Sequence, residues 1–405
     1  MIQPVLLFLF VFVANTYSEI LSQWRGPNRD GYYPATNLLV SWPKDGPDML
    51  WSFEGLGAGH SSAAIAHDRI YVAGKPDSIG VLYAFDMAGK LLWKQPYGLE
   101  WTESYSGARS TPTVVDNYLY LESGHGVVLC FDACTGKVIW SVDLLKTFFA
   151  SNIEWGMAES LLIDGDRLIC TPGGPKDNVV ALNRFTGETI WTSPGHGEPA
   201  AYCSPILIDH NGTRLIITMT AKSIIGIDAE NGTFYWRIPQ YQRHDIHANT
   251  PVYINGKVIC SSASEDSNDG IVVLNLSDDG KVATVAWRKR EYENLMGGVM
   301  VKEGYIYGAA YRKKEWYCLD IRSGTVQYIN KDFGGGVITW SDGLFYLYSD
   351  RGQVALADIT PTTFEIISSF EVPMGTNQHW AHPVIQDGRL YIRHGDALMV
   401  YDIAE

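Results

Sequence analysis

The 405-residue sequence repeats a segment of about 35 residues along most of its length. The clearest copy, residues 110–140, reads STPTVVDNYLYLESGHGVVLCFDACTGKVIW. It contains four short runs rich in alternating or β-branched residues, separated by the turn sequences Asp-Asn, Gly-His-Gly and Thr-Gly. Four strands in each tandem unit predict a β-propeller, because such a unit buries its faces only against its neighbours.

The last turn and last strand of each repeat give the number of blades. In four consecutive repeats a turn glycine lies four residues before a tryptophan: Gly89–Trp93, Gly136–Trp140, Gly187–Trp191 and Gly232–Trp236. A fifth repeat ends on Trp287, and the sixth has Tyr328 in place of the tryptophan. The seventh, residues 335–370, keeps its strands without that ending. The eighth begins at His382 and stops at Asp402, before a fourth strand.

The fourth strand of the eighth repeat is expected from the other end of the chain. Residues 48–53, Asp-Met-Leu-Trp-Ser-Phe, have the sequence of a tryptophan-bearing final strand without a repeat of its own. Pairing it with the last repeat would close the ring and remove two exposed sheet edges. The prediction is an all-β fold, an eight-bladed propeller over residues 49–405 that is closed by this N-terminal strand. Seven blades is the alternative if the degenerate seventh repeat is miscounted.

The N-terminus differs from the repeats. An apolar run, Val5–Val13, is followed by small and polar residues, with Thr16 and Ser18 at the −3 and −1 positions of a cleavage site. This run is too short to span a bilayer and is typical of a secretory signal. We expect residues 1–18 to be a signal peptide and residues 19–48 to be an arm. The mature protein is then exported, periplasmic or secreted, with no transmembrane segment.

Charge and motif content exclude several functions. The formal net charge is −14, and no run of lysines and arginines exceeds three residues, so we expect no nucleic-acid partner. The sequence contains neither a P-loop nor a G-x-S-x-G nucleophile motif.

The six cysteines occupy repeat positions that argue against disulfides. Cys130 and Cys318 share one position in two repeats, and Cys170 and Cys260 share another. Equivalent positions in separate blades place the sulfur atoms too far apart for a disulfide. We expect buried free thiols and leave open only the pair Cys130 and Cys134.

Histidines concentrate in loops of one face. The loop entering a first strand and the hairpin joining the second and third strands open on the same face, around the channel mouth. Six of the ten histidines fall in such entry loops. With other residues of these loops they form the candidate ligand-binding set: His60, Arg109, Glu154, Trp155, His196, His244, His247, His379, Trp380 and His382. Neighbouring blades should bring the histidines into two groups: His60 with His379 and His382, and His196 with His244 and His247.

Three interpretations of this face remain open. The residues hydrogen-bond backbone and solvent; or imidazole, guanidinium and indole groups recognise a polar ligand or partner; or the imidazoles bind a metal ion. The sequence alone does not identify a metal site.

The repeat, with its strand opening on Ser/Thr-Pro and its D-x-x-T-G-K-x-x-W ending, resembles the pyrroloquinoline-quinone-type, or quinoprotein-like, propeller repeat over residues 51–405. Residues 23–31, which contain Trp-Arg-Gly-Pro, are similar to the leader of exported bacterial members. The family includes quinoprotein dehydrogenases and non-catalytic scaffolds such as the propeller subunit of the outer-membrane β-barrel assembly machine.

The dehydrogenases of this family imply a quinone over the channel, held with Ca²⁺, an arginine, a tryptophan and usually a ring between adjacent cysteines. The present chain has no Cys-Cys pair, and no motif assigns such roles to Arg109, Glu154 or Trp155. The favoured hypothesis is a non-catalytic binding or scaffold propeller that takes a protein partner or a small polar or glycan ligand. The alternative is a quinoprotein-type alcohol or sugar dehydrogenase that binds pyrroloquinoline quinone and calcium.

Overall fold

A computed structural model describes residues 21–263 and 270–405. The expected signal peptide, residues 1–18, lies outside this part. The arm and first two repeats contain β1 (Leu21–Ser22), β2 (Met49–Glu54), β3 (Ala64–Ala66), β4 (Arg69–Gly74), β5 (Ile79–Asp86), β6 (Leu91–Leu99), β7 (Thr113–Val115), β8 (Tyr118–Glu122), β9 (Val127–Asp132), β10 (Val138–Asp143) and the helix α1 (Leu144–Thr147).

The next three repeats contain β11 (Leu162–Asp164), β12 (Arg167–Cys170), β13 (Val179–Asn183), β14 (Thr189–Ser193), β15 (Ile206–His210), β16 (Thr213–Thr220), β17 (Ser223–Asp228), β18 (Phe234–Pro239), β19 (Val252–Ile254), β20 (Lys257–Ser261), β21 (Ile271–Leu276) and β22 (Ala283–Lys289). The last three contain β23 (Val299–Lys302), β24 (Tyr305–Ala310), β25 (Glu315–Asp320), β26 (Val326–Asn330), β27 (Gly336–Ser341), β28 (Leu344–Ser349), β29 (Gln353–Ile359), β30 (Phe364–Glu371), β31 (Val384–Gln386), β32 (Arg389–His394) and β33 (Ala397–Asp402).

Four antiparallel strands form each blade. Blades 1 to 7 are β3–β6, β7–β10, β11–β14, β15–β18, β19–β22, β23–β26 and β27–β30, and β1 adds a fifth strand inside blade 2. Blade 8 has the order β2-β33-β32-β31, so its outer strand comes from the N-terminus. The described residues confirm the eight-bladed propeller and its closing strand. The seven-bladed alternative is wrong, because the seventh repeat forms a complete sheet, β27–β30.

One tryptophan position joins neighbouring blades. In blade 1, Tyr71, Ala84 and Trp93 lie side by side on three strands, and the Trp93 ring is 5.9 Å from that of Tyr71. A Cβ placed on Gly136 in the last turn of blade 2 would come within 2.6 Å of the Trp93 ring. This glycine also has a φ of 74°, so both close approach and backbone conformation require it. The tryptophan is therefore a wedge between two sheets.

Blade 7 takes its wedge from the arm. Ser368 occupies the tryptophan position on β30. Trp42 of the arm packs on Tyr346 of the same blade at 5.8 Å, close to the wedge separation in blade 1, and its backbone N–H donates to Ser368 Oγ at 2.9 Å. An aromatic ring of the arm thus fills the space that the small side chain of Ser368 leaves at the tryptophan position.

The arm, residues 21–48, contacts all eight blades: β1 pairs with the innermost strand β7, and Trp42 reaches the outer strand β30. Arg29 donates to the carbonyl oxygens of Ser160 and Pro205, at 2.9 and 2.8 Å, where the chain enters blades 3 and 4. Arg25 donates to the Val299 carbonyl of blade 6 at 3.1 Å. Other contacts reach the remaining blades: Ser22 with Ile65, β1 with β7, Trp24 with Thr250, Tyr33 with Trp340, and Arg25 with His382.

The cysteines are all free, five of them buried and Cys134 exposed. The pair Cys130 and Cys134, which the sequence left open, does not form a disulfide in the described chain. No helix within residues 21–263 and 270–405 has the length and apolar character needed to cross a bilayer.

Candidate functional site

A cavity of about 330 Å³ opens at the channel mouth, and we call it the mouth cavity. The loops that enter the first strands form most of its walls, and Trp24 of the arm lines it together with Tyr311 and Arg312 from the hairpin of blade 6. Six of the ten predicted residues line it: His60, Arg109, Trp155, His244, Trp380 and His382. Tyr105, Tyr202, Gln242 and Glu293 line it as well.

Six rings form a curved wall on one side of the cavity, which we call the aromatic arc. Successive ring centroids lie 4.9 to 6.3 Å apart, and their planes meet at 38° to 73°. In order, the arc contains His60, Trp380, Tyr105 and Trp155, with Tyr202 and His244 both next to Trp155. Tyr105 has a φ of 56°, a conformation rare for an aromatic residue, and its side chain is half exposed at the rim.

Three residues of the cavity wall have buried polar atoms without hydrogen-bond partners in the described part of the chain. His60 is 8% exposed, and neither ring nitrogen has a hydrogen-bond partner among the described residues. Burial, assisted by the nearby Arg393 and Arg109, lowers the pKa of His60 to about 3, so its ring is neutral at physiological pH. Gln242 Nε2 and Glu293 Oε2 are likewise unpaired there. Because an unmade buried hydrogen bond is unfavourable, these atoms are suited to a ligand's polar groups.

Arg109 positions two rings of the arc. Its guanidinium donates to the carbonyl oxygens of Trp155 and of Tyr105, the latter at 2.5 Å. Burial lowers its pKa to about 10, which leaves it cationic. The Trp155 N–H donates to the Tyr202 hydroxyl at 3.1 Å. Hydrogen bonds to the backbones of Tyr105 and Trp155 therefore hold these two residues, and with them their rings, in place.

Glu154 and His244 extend this part of the rim. Glu154 Oε2 lies 3.2 Å from His244 Nδ1, so the predicted carboxylate contacts the cavity wall through a lining histidine. The predicted residues Glu154, Trp155 and His244 thus meet, although they come from two different entry loops.

The first expected histidine group forms only in part. His60 and His382 line the cavity, and His382 donates from Nε2 to the Met296 carbonyl at 2.8 Å while Nδ1 accepts from Arg25. His379 instead stacks on His394 at 3.7 Å and contacts the Tyr348 hydroxyl at 2.7 Å. Burial lowers the pKa of His379 to about 4.

The second expected group does not converge. His247 is fully buried and donates from Nε2 to the Ala221 carbonyl at 3.1 Å, in the hairpin of blade 4. Burial lowers the pKa of His247 to about 4. His196 lies 3.6 Å from a Glu198 oxygen, outside the residues that line the cavity. Of this group, only His244 reaches the cavity.

Several acidic residues of the mouth face support hairpins. Each lies after the outer strand of one blade and accepts a backbone N–H from the hairpin of the next. The pairs are Glu100 with Gly124, Glu159 with Thr171, Glu198 with Lys222 and Glu293 with Arg312. Of these four acidic residues, Glu293 also lines the mouth cavity.

The side chains that line the mouth cavity do not fit a site for calcium and a quinone. Among the described residues no three His, Cys, Asp or Glu side chains are placed to hold one metal ion. Glu293 is the single carboxylate among the described lining residues, whereas Ca²⁺ takes about six to eight oxygen ligands. The residues also do not support the metal-binding interpretation of the histidines.

Sequence reasoning missed Trp24, Tyr105, Gln242 and Glu293. Trp24 belongs to the Trp-Arg-Gly-Pro segment, which is the one signal that the sequence offered for it. Tyr105 shares an entry loop with Arg109, but nothing in the sequence places its ring over the cavity. Gln242 and Glu293 are common polar residues of entry loops, without a pattern of their own.

Comparisons with known proteins agree with this fold. The protein from Kangiella koreensis named outer membrane protein assembly factor BamB is 28% identical over 207 residues, which span 50% of this chain and 48% of that protein. The structure of BamB from Moraxella catarrhalis superimposes with a TM-score of 0.62 at 14% identity, over 88% of this chain and 97% of that one. The quinohemoprotein alcohol dehydrogenase of Comamonas testosteroni gives 0.63 at 12% identity, over 93% and 79%.

At these identities the two structures establish the fold alone. A family model described as outer membrane protein assembly factor BamB matches residues 78–330, more than half of the sequence. The chain therefore belongs to this family of quinoprotein-like propeller repeats.

Proposed function

We propose that this protein is an exported, non-catalytic binding propeller of the scaffold type that holds a group of its ligand or partner in the mouth cavity. Export is inferred from the apolar run at residues 5–13. Relatives named outer membrane protein assembly factors support a scaffold role and a periplasmic location.

One observation carries this proposal: the buried imidazole of His60 has no hydrogen-bond partner within residues 21–263 and 270–405 and lies in an aromatic cavity. His60, at one end of the arc beside Trp380, has a neutral donor and a neutral acceptor. Binding sites combine a largely apolar wall with a few unpaired polar groups that orient the ligand. The alternative oxidoreductase role lacks such support, because the described lining offers one carboxylate.

Site-specific photo-crosslinking tests the binding face. A photoreactive amino acid replaces Tyr105 at the rim of the mouth, or Asn231 in a turn of the opposite face as the control. We expect crosslinked adducts in native cells from position 105 and not from position 231. Equal crosslinking at both positions would show that the mouth is not the binding face.

A melting experiment tests the alternative. Pyrroloquinoline quinone with Ca²⁺, at 100-fold over its dissociation constant, would stabilise a quinoprotein by about 2.7 kcal/mol. We expect no such upward shift of Tm. A shift that Arg109→Ala abolishes, together with electron transfer to an artificial acceptor, would establish the oxidoreductase instead.

A further inference from the structure

We propose that the ligand group held in the mouth cavity is a neutral sugar ring, one pyranose unit of a glycan. This inference rests on the proposed binding function and specifies the chemistry of the ligand. Three properties of the described lining lead to it: the charge of the unpaired atoms, the angles between the rings, and the placement of the polar groups.

Two of the three unpaired groups, His60 and Gln242, are neutral. The His60 ring is neutral at physiological pH, and Gln242 offers an amide donor. Burial raises the pKa of Glu293, which favours its neutral form. Two arginines, Arg109 and Arg312, line the cavity, and Arg109 donates to two carbonyl oxygens. The unpaired atoms of His60 and Gln242 are therefore matched to hydroxyl groups, which both donate and accept, rather than to a charged group.

The ring geometry suits a puckered molecule better than a flat one. A flat aromatic ligand binds best in a slot between parallel rings, whereas neighbouring planes in the arc meet at 38° to 73°. The arc is therefore a concave surface whose rings face a bound ligand from several directions. A pyranose ring presents C–H groups on both faces and hydroxyls around its edge, and it can contact such a surface at several angles.

The polar groups lie on opposite sides of the mouth cavity. His60 enters from blade 1, whereas Gln242 and Glu293 lie at the entries to blades 5 and 6, across the eight-bladed ring. These groups can therefore contact the hydroxyls of a bound glycan from opposite sides of the cavity. The cavity of about 330 Å³ is at the small end of ligand sites. The exposed rim at Tyr105 leaves room for further units to extend into solvent.

The experiment is saturation-transfer difference NMR with the mature protein. The probes are maltotriose, cellotriose and chitotriose, with trigalacturonate and adenosine as charged and flat comparisons. We expect transfer to at least one neutral trisaccharide, at least tenfold weaker binding in Trp380→Ala, and weaker binding in His60→Gln. The control variant is Phe149→Ala, which removes a ring that is 84% exposed and does not line the cavity. Circular dichroism verifies that each variant is folded.

The outcomes separate this inference from the proposed function. If no neutral trisaccharide binds while crosslinking at position 105 persists, the sugar inference fails and the binding function stands. If crosslinking is also absent, both fail. Preferential binding of trigalacturonate or adenosine overturns the neutral-sugar inference, as does equal loss of binding in Phe149→Ala and Trp380→Ala.

Discussion

Two arginines of the arm lie in the protein interior and stay charged. Arg25 and Arg29 are each 2% exposed, and burial lowers the pKa of each to about 10. The carbonyl oxygens around them replace water as hydrogen-bond acceptors. The arm is thus held by charge-assisted hydrogen bonds rather than by an apolar surface alone.

A buried carboxyl pair next to Arg29 makes stability depend on pH. Burial raises the pKa of Glu159 to about 8 and that of Glu122 well above its ordinary value, with Glu100 and Arg29 as charged neighbours. The folded state therefore binds more protons than the unfolded state from about pH 4.5 to 8. The free energy of unfolding must fall as pH rises through this window.

Replacing one member of the pair tests this dependence. We expect Glu159→Gln to reduce the loss of stability between pH 5 and pH 8 and to raise the unfolding midpoint at pH 8 by several degrees, because no buried carboxylate then forms at that position. Thermal melts at both pH values provide the measurement, with the exposed Glu188→Gln as control. An unchanged pH dependence in Glu159→Gln would contradict the assignment.

At the scale of elements, the tryptophan wedge explains why the repeat has a turn glycine and a tryptophan at a set spacing. The glycine–tryptophan spacing within the repeat predicted the wedge, because both residues belong to the same turn and strand. The sequence could not assign Trp42 to blade 7. That residue lies 326 positions from Ser368 in a segment without repeat periodicity, and only the folded ring brings the two together.

Removing the ring of Trp42, which takes the place of the repeat tryptophan in blade 7, should destabilise the propeller. Trp42 is 6% exposed, so Trp42→Ala is expected to lower the free energy of unfolding by about 3–5 kcal/mol. Val40→Ala, an exposed position of the same arm, is expected to change it little. Denaturant unfolding measures both. A Ser368→Trp change added to Trp42→Ala should recover part of the loss, and equal midpoints for the two single variants would refute the wedge role.

At the scale of the whole molecule, the repeat predicted the blades, their number and the closing strand, because each depends on local alternation and turn chemistry. The placement of the arm against the blades was not predictable in this way. Its contacts come from Arg25, Arg29 and Trp24, and each reaches a different part of the ring through tertiary structure alone.

The candidate site was predictable to the extent that the phase of a residue, which is its position within its repeat, determines where it lies. Phase located the loops at the mouth, which is why His60, Arg109 and Trp380 line one cavity. Phase does not determine the direction of a side chain. His247 and His379 have the same phase, yet each turns toward a hairpin, because a carbonyl or a hydroxyl lies within hydrogen-bond reach there.

The arm should be separable from the ring that it stabilises. A chain that begins at Asp48 keeps the closing strand β2 but loses the contacts with all eight blades, so we expect it to fold with a Tm lower by roughly 10 °C or more. A synthetic peptide of residues 19–47 should raise that Tm in a concentration-dependent way, because it binds only the folded ring. The same peptide with Arg25→Ala and Arg29→Ala should fail. If the shortened chain melts like the full chain, or if both peptides act alike, the arm does not stabilise the ring through its buried arginines.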